Sequence, residues 1–279
     1  MRLSLKIGAC LCAALVMLAG CDSVRSMVSK KNIAGRFYMG GLKDRKFAQL
    51  AHSMDKIYAK EVKETGRKKP YVVGQCIMHE VEKAAPTNSY SSYGDWSNMI
   101  TSEKDVKVAT FGGRSIYVSE GLLDTLNYRQ DVIAFHIAHA VAHDHLGHTN
   151  ELLYSEDKPD GTGDLLDAWS GNNPPSFRGF VMGLNGSPMS HEDIRPYSLE
   201  MEKEADLIAV AILSTAGFNP NNFLAYMSSH MDHPGAYYDE IHPMTQERFE
   251  ALAKDVENAA PMRALAAKRN HVPECENLQ

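Results

Sequence analysis

HAVAHDHLGH, residues 139–148, ends a long apolar segment with regularly spaced histidines and determines how the rest of the sequence is interpreted. The segment over 132–146 carries little charge before Asp144, which predicts a helix buried in a hydrophobic core. His139 and His143 are four residues apart and therefore share one face of that helix. Two imidazoles on one face predict that both bind the same metal ion.

The two histidines have the spacing of the H-E-x-x-H zinc motif. In that motif, the residue after the first histidine is a glutamate that acts as general base toward water. Ala140 occupies this position, and an alanine cannot accept a proton. A register over 135–139 would put Phe135 in place of the first ligand, so the register that begins at His139 is preferred. His136, one turn earlier, is expected to be buried and not to bind the metal.

A second helix offers the third ligand that such a site needs. Residues 200–216 have helical character and end at Gly217, a residue typical of helix C-termini. Glu202 and Asp206 are four residues apart, which predicts that one binds the metal while the other fixes a ligand histidine. Glu204 lies on the opposite side of the helix and is expected to face solvent.

The rest of the chain predicts further helices, a few short strands and one long loop. Helices are expected over 46–64, 121–126, 221–230 and 244–257, and strands over 96–100, 106–110 and 115–118. Residues 71–83 are expected to form another helix or a strand-helix junction. Residues 155–196 are rich in Gly, Asn, Pro and Ser and are expected to form a loop or lid over the site.

Over residues 96–252, the sequence resembles a known group of zinc metallopeptidases. The group includes the HtpX-like heat-shock proteases, the CAAX prenyl endopeptidases and several periplasmic lipoprotein proteases. The segments that match, in order, are GGRSIYV and GLL (112–118, 121–123), HAVAHDHLGH (139–148), YS and EKEAD (197–198, 202–206), AGFNP (216–220), and HP with a following arginine (242–243, 248). Five segments in the same order are specific, although no single one would be.

The resemblance implies an α+β fold that is mainly α-helical, a gluzincin-like metallopeptidase domain with a small sheet edging the active-site cleft. It implies one Zn²⁺ held by His139, His143 and Glu202, with Asp206 orienting a ligand histidine. It also implies protein or peptide substrates, namely extended segments of misfolded or misassembled cell-envelope proteins.

Two positions depart from the family pattern. Residues 106–109 stand where many members have N-A-F-A on the strand that lines the cleft, so contacts with substrate are expected to differ. Ala140 stands where members have glutamate, either because the residue was replaced to inactivate the protein or because the chain is a natural pseudoprotease. In either case, we expect a zinc metalloendopeptidase scaffold that is inactive or very weak as written.

Four further residues lie near these motifs. His242 either approaches the metal or substrate from a loop or is a structural turn residue. Arg248 either stabilises the oxyanion of the reaction or pairs with a carboxylate such as Asp206. His148 is expected to pack near the site without binding the metal, and His145 is expected to face solvent or to act as a cap that does not bind the metal.

The N-terminus predicts export and a lipid anchor. After a short basic stretch, the apolar run over 7–18 is too short to span a bilayer but suits a signal peptide. LAGC at 18–21 resembles the lipobox of bacterial lipoproteins, which implies cleavage before Cys21 and acylation of that residue. A cleaved secretory signal or a short anchor helix is the alternative. Asp22 favours the inner membrane facing the periplasm, with the outer membrane as the alternative.

The composition fits one globular domain without a nucleic-acid partner. The chain is 44% hydrophobic and 23% charged, enough for one sizeable core. Its formal net charge of −6 lacks the basic excess of phosphate-binding proteins. We therefore expect a signal peptide at 1–20, a lipid-anchored tether at 21–45 and the metallopeptidase-like domain at 46–279.

Two cysteines, Cys76 and Cys275, lie beyond the lipidation site in the exported chain. In an oxidising compartment they suggest one disulfide, with two free thiols as the alternative.

Besides the peptidase, two functions stay open. One is a pseudoprotease that binds client proteins as a chaperone or adaptor, and the other is a periplasmic metal-binding lipoprotein.

Overall fold

The structure, a computed structural model, describes residues 52, 55–85, 97–110, 115–148, 199–231, 242, 244–269 and 272–278. The expected signal peptide (1–20), the tether (21–45) with Cys21, and the expected loop or lid (155–196) lie outside these residues. So do three pieces of the matching motifs, at 112–114, 197–198 and 243.

Most of the described residues are helical. The helices are α1 (Lys68–Ala84), α2 (Glu120–Thr125), α3 (Gln130–Leu146), α4 (Leu199–Ala216), α5 (Pro220–Ser228), α6 (Gln246–Asn258) and α7 (Ala260–Lys268), and residues 55–61 are also helical. The sequence did not predict α7, because Ala259 both ends α6 and begins α7 without a glycine between them. The predicted α+β, mainly α-helical fold class is confirmed.

The described sheet has three short strands, β1 (Ser97–Thr101), β2 (Val108–Ala109) and β3 (Ser115–Ser119). Their order is β1-β3-β2, with β1 parallel and β2 antiparallel to the central β3. Every residue of β3 is buried, whereas both residues of β2 are partly exposed. Because it stands at one end of the order β1-β3-β2, β2 is an edge strand of this sheet.

Helices α3 and α4 form the centre of the molecule and pack against each other. Both are apolar around nearly their whole circumference, and α3 is buried continuously from Val132 to His143. A helix of this kind needs neighbours on all sides, and α1, α5, α6, α7 and the sheet provide them. Within the part of the chain that the structure describes, no helix is long and apolar enough to cross a membrane.

Gly147 ends α3 in a way that matters for the site. Its φ of 73° is in the left-handed region, which favours glycine at helix C-termini. Its N–H donates toward the carbonyls of His143 and Asp144. The chain turns back at this point, so that His148 is fully buried beside the helix that it follows.

A disulfide between Cys76 and Cys275 ties α1 to the C-terminal 3₁₀ turn at Cys275–Asn277, and this is the pairing expected from the sequence. The two cysteines are 199 residues apart in sequence, and a native disulfide typically contributes about 2–4 kcal/mol to folding. The side chain of Gln130, at the start of α3, also holds this segment. Its Nε2 donates to the carbonyl of Pro273 and its Oε1 accepts from the N–H of Cys275, both at 2.8 Å.

Candidate metal centre

Three buried side chains from α3 and α4 converge on one point. The Nε2 atoms of His139 and His143 are 3.0 Å apart. The Glu202 carboxylate places Oε2 3.3 Å from His139 Nε2 and Oε1 3.4 Å from His143 Nε2. The exposed fraction of each of these residues is 2% or less. Two imidazoles and a carboxylate converging at a buried point form a donor set that suits Zn²⁺.

His242 contributes a fourth donor from the loop before α6. Its Nδ1 lies 2.9 Å from Glu202 Oε1, and its side chain is 24% exposed. One ligand atom from each of His139, His143, Glu202 and His242 lies within 4.8 Å of the others. Of the two interpretations of His242 left by the sequence, the structure therefore places it at the donor group.

The protonation states around this point suit a cation. Burial alone would raise the pKa of Glu202, but the His139 charge and the hydrogen bonds from His139, His143 and His242 hold that pKa far below its ordinary value. Burial and the nearby His139 charge lower the pKa of His143 well below its ordinary value. An ionised carboxylate and a neutral imidazole are the forms that bind metals.

The His139 imidazole lies between two carboxylates, with Glu202 on its Nε2 side and Asp206 on its Nδ1 side. Burial alone would lower the pKa of His139, but the Glu202 charge and the hydrogen bonds to Asp206 and Glu202 raise it above its ordinary value. A metal ion binds the unprotonated nitrogen, so a bound cation and a proton would compete for Nε2 of His139.

Asp206 and Arg248 lie behind the donors. Asp206 Oδ1 is 2.9 Å from His139 Nδ1, so the carboxylate faces the nitrogen that points away from the donor group. Arg248 donates from Nε and Nη2 to the two oxygens of Asp206, at 2.7 and 2.8 Å, and its Nη1 also contacts Glu202 Oε2. Although burial alone would raise the pKa of Asp206, the Arg248 charge keeps it below its ordinary value.

Arg248 itself is fully buried. Of the two roles that the sequence left open for it, the structure places the guanidinium in the carboxylate pairing.

Residues 76–256 match peptidase family M48. This span covers more than half of the chain and contains all four donors and both residues behind them. The chain belongs to peptidase family M48. A comparison with curated proteins gave no match. M48 peptidases are zinc-dependent, and the buried His139, His143, Glu202 and His242 group of this M48 domain could hold such an ion.

Ala140 lies next to His139 on the stretch of α3 that passes the edge strand. Thr110, directly after β2, donates from Oγ1 to the Ala140 carbonyl at 3.5 Å. Ala140 is 9% exposed. The M48 domain therefore carries a methyl group where the zinc motif has a carboxylate, beside the edge of the sheet.

Two expectations for charged or polar residues of this region were wrong. Glu204 does not face solvent, because its side chain is 16% exposed and its Oε2 lies 3.6 Å from His148 Nε2. His148, which follows α3, covers the side of α4 that carries Glu204. Helical spacing alone does not reveal this contact. His145 does not face solvent freely either, because it is partly buried, and this burial lowers its pKa.

His136 and His148 lie where the sequence placed them. His136 is 1% exposed and packs edge-on against Phe223, outside the four-donor group. Burial lowers the pKa of His136 to about 3. His148 is fully buried beside His143.

Proposed function

We propose that this M48 chain has the scaffold of a zinc metalloendopeptidase of the bacterial cell envelope. We propose further that the chain is inactive because Ala140 stands at the position of the general base. The observation that carries the proposal is the convergence of His139, His143 and Glu202 at one buried point. Degenerate enzymes generally lose ligands as well as the base, whereas this site keeps a full donor set. We infer that the chain retains the metal and lacks the proton acceptor.

Each residue of the site has a defined task in this proposal. A bound Zn²⁺ would supply a Lewis acid that polarises the peptide carbonyl. His139, His143 and Glu202 would hold the ion, while Asp206 keeps His139 in the tautomer that leaves Nε2 free. A carboxylate at position 140 would take the proton from the attacking water, a step that Ala140 cannot perform. Arg248 neutralises the two buried carboxylates beside it.

The edge strand β2 gives the proposed substrate class its structural rationale. An extended peptide can pair with an exposed strand edge through main-chain hydrogen bonds, which are independent of sequence. Strand β2 lies beside the stretch of α3 that carries Ala140. Unfolded segments of misfolded or misassembled envelope proteins offer extended backbone of this kind.

Attachment to the membrane through acylated Cys21, with the domain in the periplasm, completes the proposal. LAGC at 18–21 supports lipidation, Asp22 favours the inner membrane, and the disulfide between Cys76 and Cys275 suits an oxidising compartment. In cells given labelled palmitate, we expect the chain to take up label in the membrane fraction and Cys21→Ser to take up none. Equal labelling of the two proteins would contradict the anchor.

A second candidate function rests on His242. Structural zinc sites are closed by four protein ligands, whereas catalytic sites keep one position open. If His242 stays in place as the fourth ligand, the centre is closed, which suits a metal-binding lipoprotein. If substrate displaces His242, the centre is that of a peptidase or of a client-binding pseudoprotease.

Binding of unfolded polypeptide tests the proposed function on the chain as it stands. Because the donor group and the edge strand are present and the base is missing, the zinc-loaded chain is expected to form a complex with reduced, carboxymethylated casein and to leave the casein intact. A folded protein of similar size, which offers no extended backbone, serves as the control and should not be retained. A chain that binds zinc but neither casein nor any other unfolded polypeptide would contradict the peptidase scaffold and favour the metal-binding function.

A further inference from the structure

We propose that His148 and Glu204 act as positioning residues for the metal ligand His143, forming a relay of hydrogen-bonding groups behind it. The inference rests on the proposed metal centre and concerns how one of its ligands is held. The two nitrogens of the His143 ring have different neighbours. The Nε2 of His143 faces the donor group, 3.0 Å from His139 Nε2, and its Nδ1 lies 2.9 Å from Nδ1 of His148.

The contact between the two Nδ1 atoms fixes where the protons are. A histidine that binds a metal through Nε2 carries its proton on Nδ1. At 2.9 Å, that proton is donated to Nδ1 of His148, which must then be the unprotonated nitrogen of its ring. This arrangement requires the tautomer of His148 that carries its proton on Nε2.

Glu204 stands where it selects this tautomer. Its Oε2 is 3.6 Å from His148 Nε2, and the two side chains are 16% and 0% exposed. At this distance the carboxylate acts mainly through its charge, because 3.6 Å exceeds the length of a hydrogen bond. A carboxylate beside Nε2 favours the proton on that nitrogen and so leaves Nδ1 of His148 ready to accept from His143.

Each of the two histidine ligands thus has a carboxylate behind it. His139 contacts Asp206 directly, at 2.9 Å. His143 reaches Glu204 through the ring of His148. Partners of this kind fix the ring orientation and tautomer of a ligand histidine and raise its basicity, and their loss typically weakens metal binding about 10–100-fold.

The backbone supports the relay at one residue. Gly147, with φ of 73°, reverses the chain after α3 and brings His148 back over His143, five residues earlier. Glu204 comes from α4, between Glu202 and Asp206 in sequence but on another side of the helix. The relay therefore joins the same two helices as the metal centre and lies on a separate face of α4.

The test compares zinc affinity, measured by competition with a chromophoric chelator, in the full chain and its variants. His148→Phe keeps a planar ring and removes both nitrogens, and we expect it to weaken zinc binding about 10–100-fold. In His148→Asn, the side-chain oxygen can still accept from His143 Nδ1, so most of the affinity should return. Glu200→Gln, at a residue of the same helix whose side chain is 71% exposed, is the control and should bind like the parent chain.

A double-mutant cycle separates the relay from general damage to the fold. If Glu204 acts through His148, Glu204→Gln weakens zinc binding in the parent chain but changes it about twofold or less in the His148→Phe background. Independent structural roles would instead give additive losses. With Co²⁺ in place of Zn²⁺, the ligand-field spectrum is expected to change in His148→Phe and to stay unchanged in Glu200→Gln.

Three results would overturn the proposal. If His148→Phe binds zinc as tightly as the parent chain, the relay is contradicted and the proposed metal centre is not. Additive losses in the cycle remove the coupling. A parent chain that binds no zinc overturns the relay together with the proposed function. Should His148→Phe fail to fold, Glu204→Gln and His148→Asn take its place, and the relay is contradicted if Glu204→Gln binds zinc as the parent does.

Discussion

Replacing Ala140 with glutamate is expected to raise the rate of peptide hydrolysis by this chain about 10²–10⁴-fold, the usual contribution of a positioned general base. The gain is large because position 140 adjoins the ligand His139, while His139, His143 and Glu202 already converge. The measurement is the initial rate of cleavage of a fluorogenic unfolded casein by the zinc-loaded proteins.

The matched control for this prediction is Ala140→Gln. Glutamine has nearly the size and shape of glutamate but accepts no proton at neutral pH, so its rate should stay close to that of the parent chain. The activity of Ala140→Glu should disappear with a chelator and return with zinc. A glutamate variant that binds zinc and remains as slow as the glutamine variant would show that more than the base is missing.

Replacing Arg248 with leucine is expected to lower the free energy of unfolding by about 3–5 kcal/mol, as when one partner is removed from a buried ion pair. Arg248 is fully buried and contacts the carboxylates of Asp206 and Glu202. Its loss leaves two buried negative charges side by side without their cation. The measurement is denaturant unfolding in the presence of chelator, so that metal binding does not enter the result.

Two variants show whether the effect belongs to the buried site. Arg248→Lys keeps the charge but loses the two-pronged contact with Asp206, so it should be intermediate. Lys203→Leu removes a cation from the same region that pairs with the exposed Glu200 and Glu247, and its unfolding midpoint should stay near that of the parent. An Arg248→Leu midpoint equal to that of the parent would contradict the pairing assigned to this residue.

The central helices could be predicted because their sequence signals are strong. Segment 132–146 is too apolar to lie at a surface, and the structure buries α3 between Val132 and His143. Helix α4 ends next to Gly217, as its C-terminal signal indicated. The spacings of four residues in His139/His143 and in Glu202/Asp206 gave shared helix faces. Once both helices were known, these faces had to be buried against something.

Other features depend on packing between segments that are distant in sequence. The sequence left Arg248 between two roles, because nothing in its neighbourhood indicates that α6 brings it against Asp206. Glu204 was assigned to solvent from its helical angle, and the turn at Gly147 that covers it became visible only in three dimensions. Helix α7 follows α6 at Ala259 without a glycine between them, and the proline in its first turn, Pro261, is the sequence signal of its start.

Zinc titration of the chelator-treated chain, with Ala140 in place, measures whether the donor group binds an ion. We expect one zinc per chain, because Ala140 is not a ligand and His139, His143 and Glu202 are all present. Glu202→Ala should weaken binding about 100-fold or more, since even residues behind the ligands contribute about 10–100-fold. Glu200→Ala, at an exposed residue of the same helix, should bind like the parent. A chain that binds no zinc, or binds it equally well after Glu202→Ala, would contradict the account.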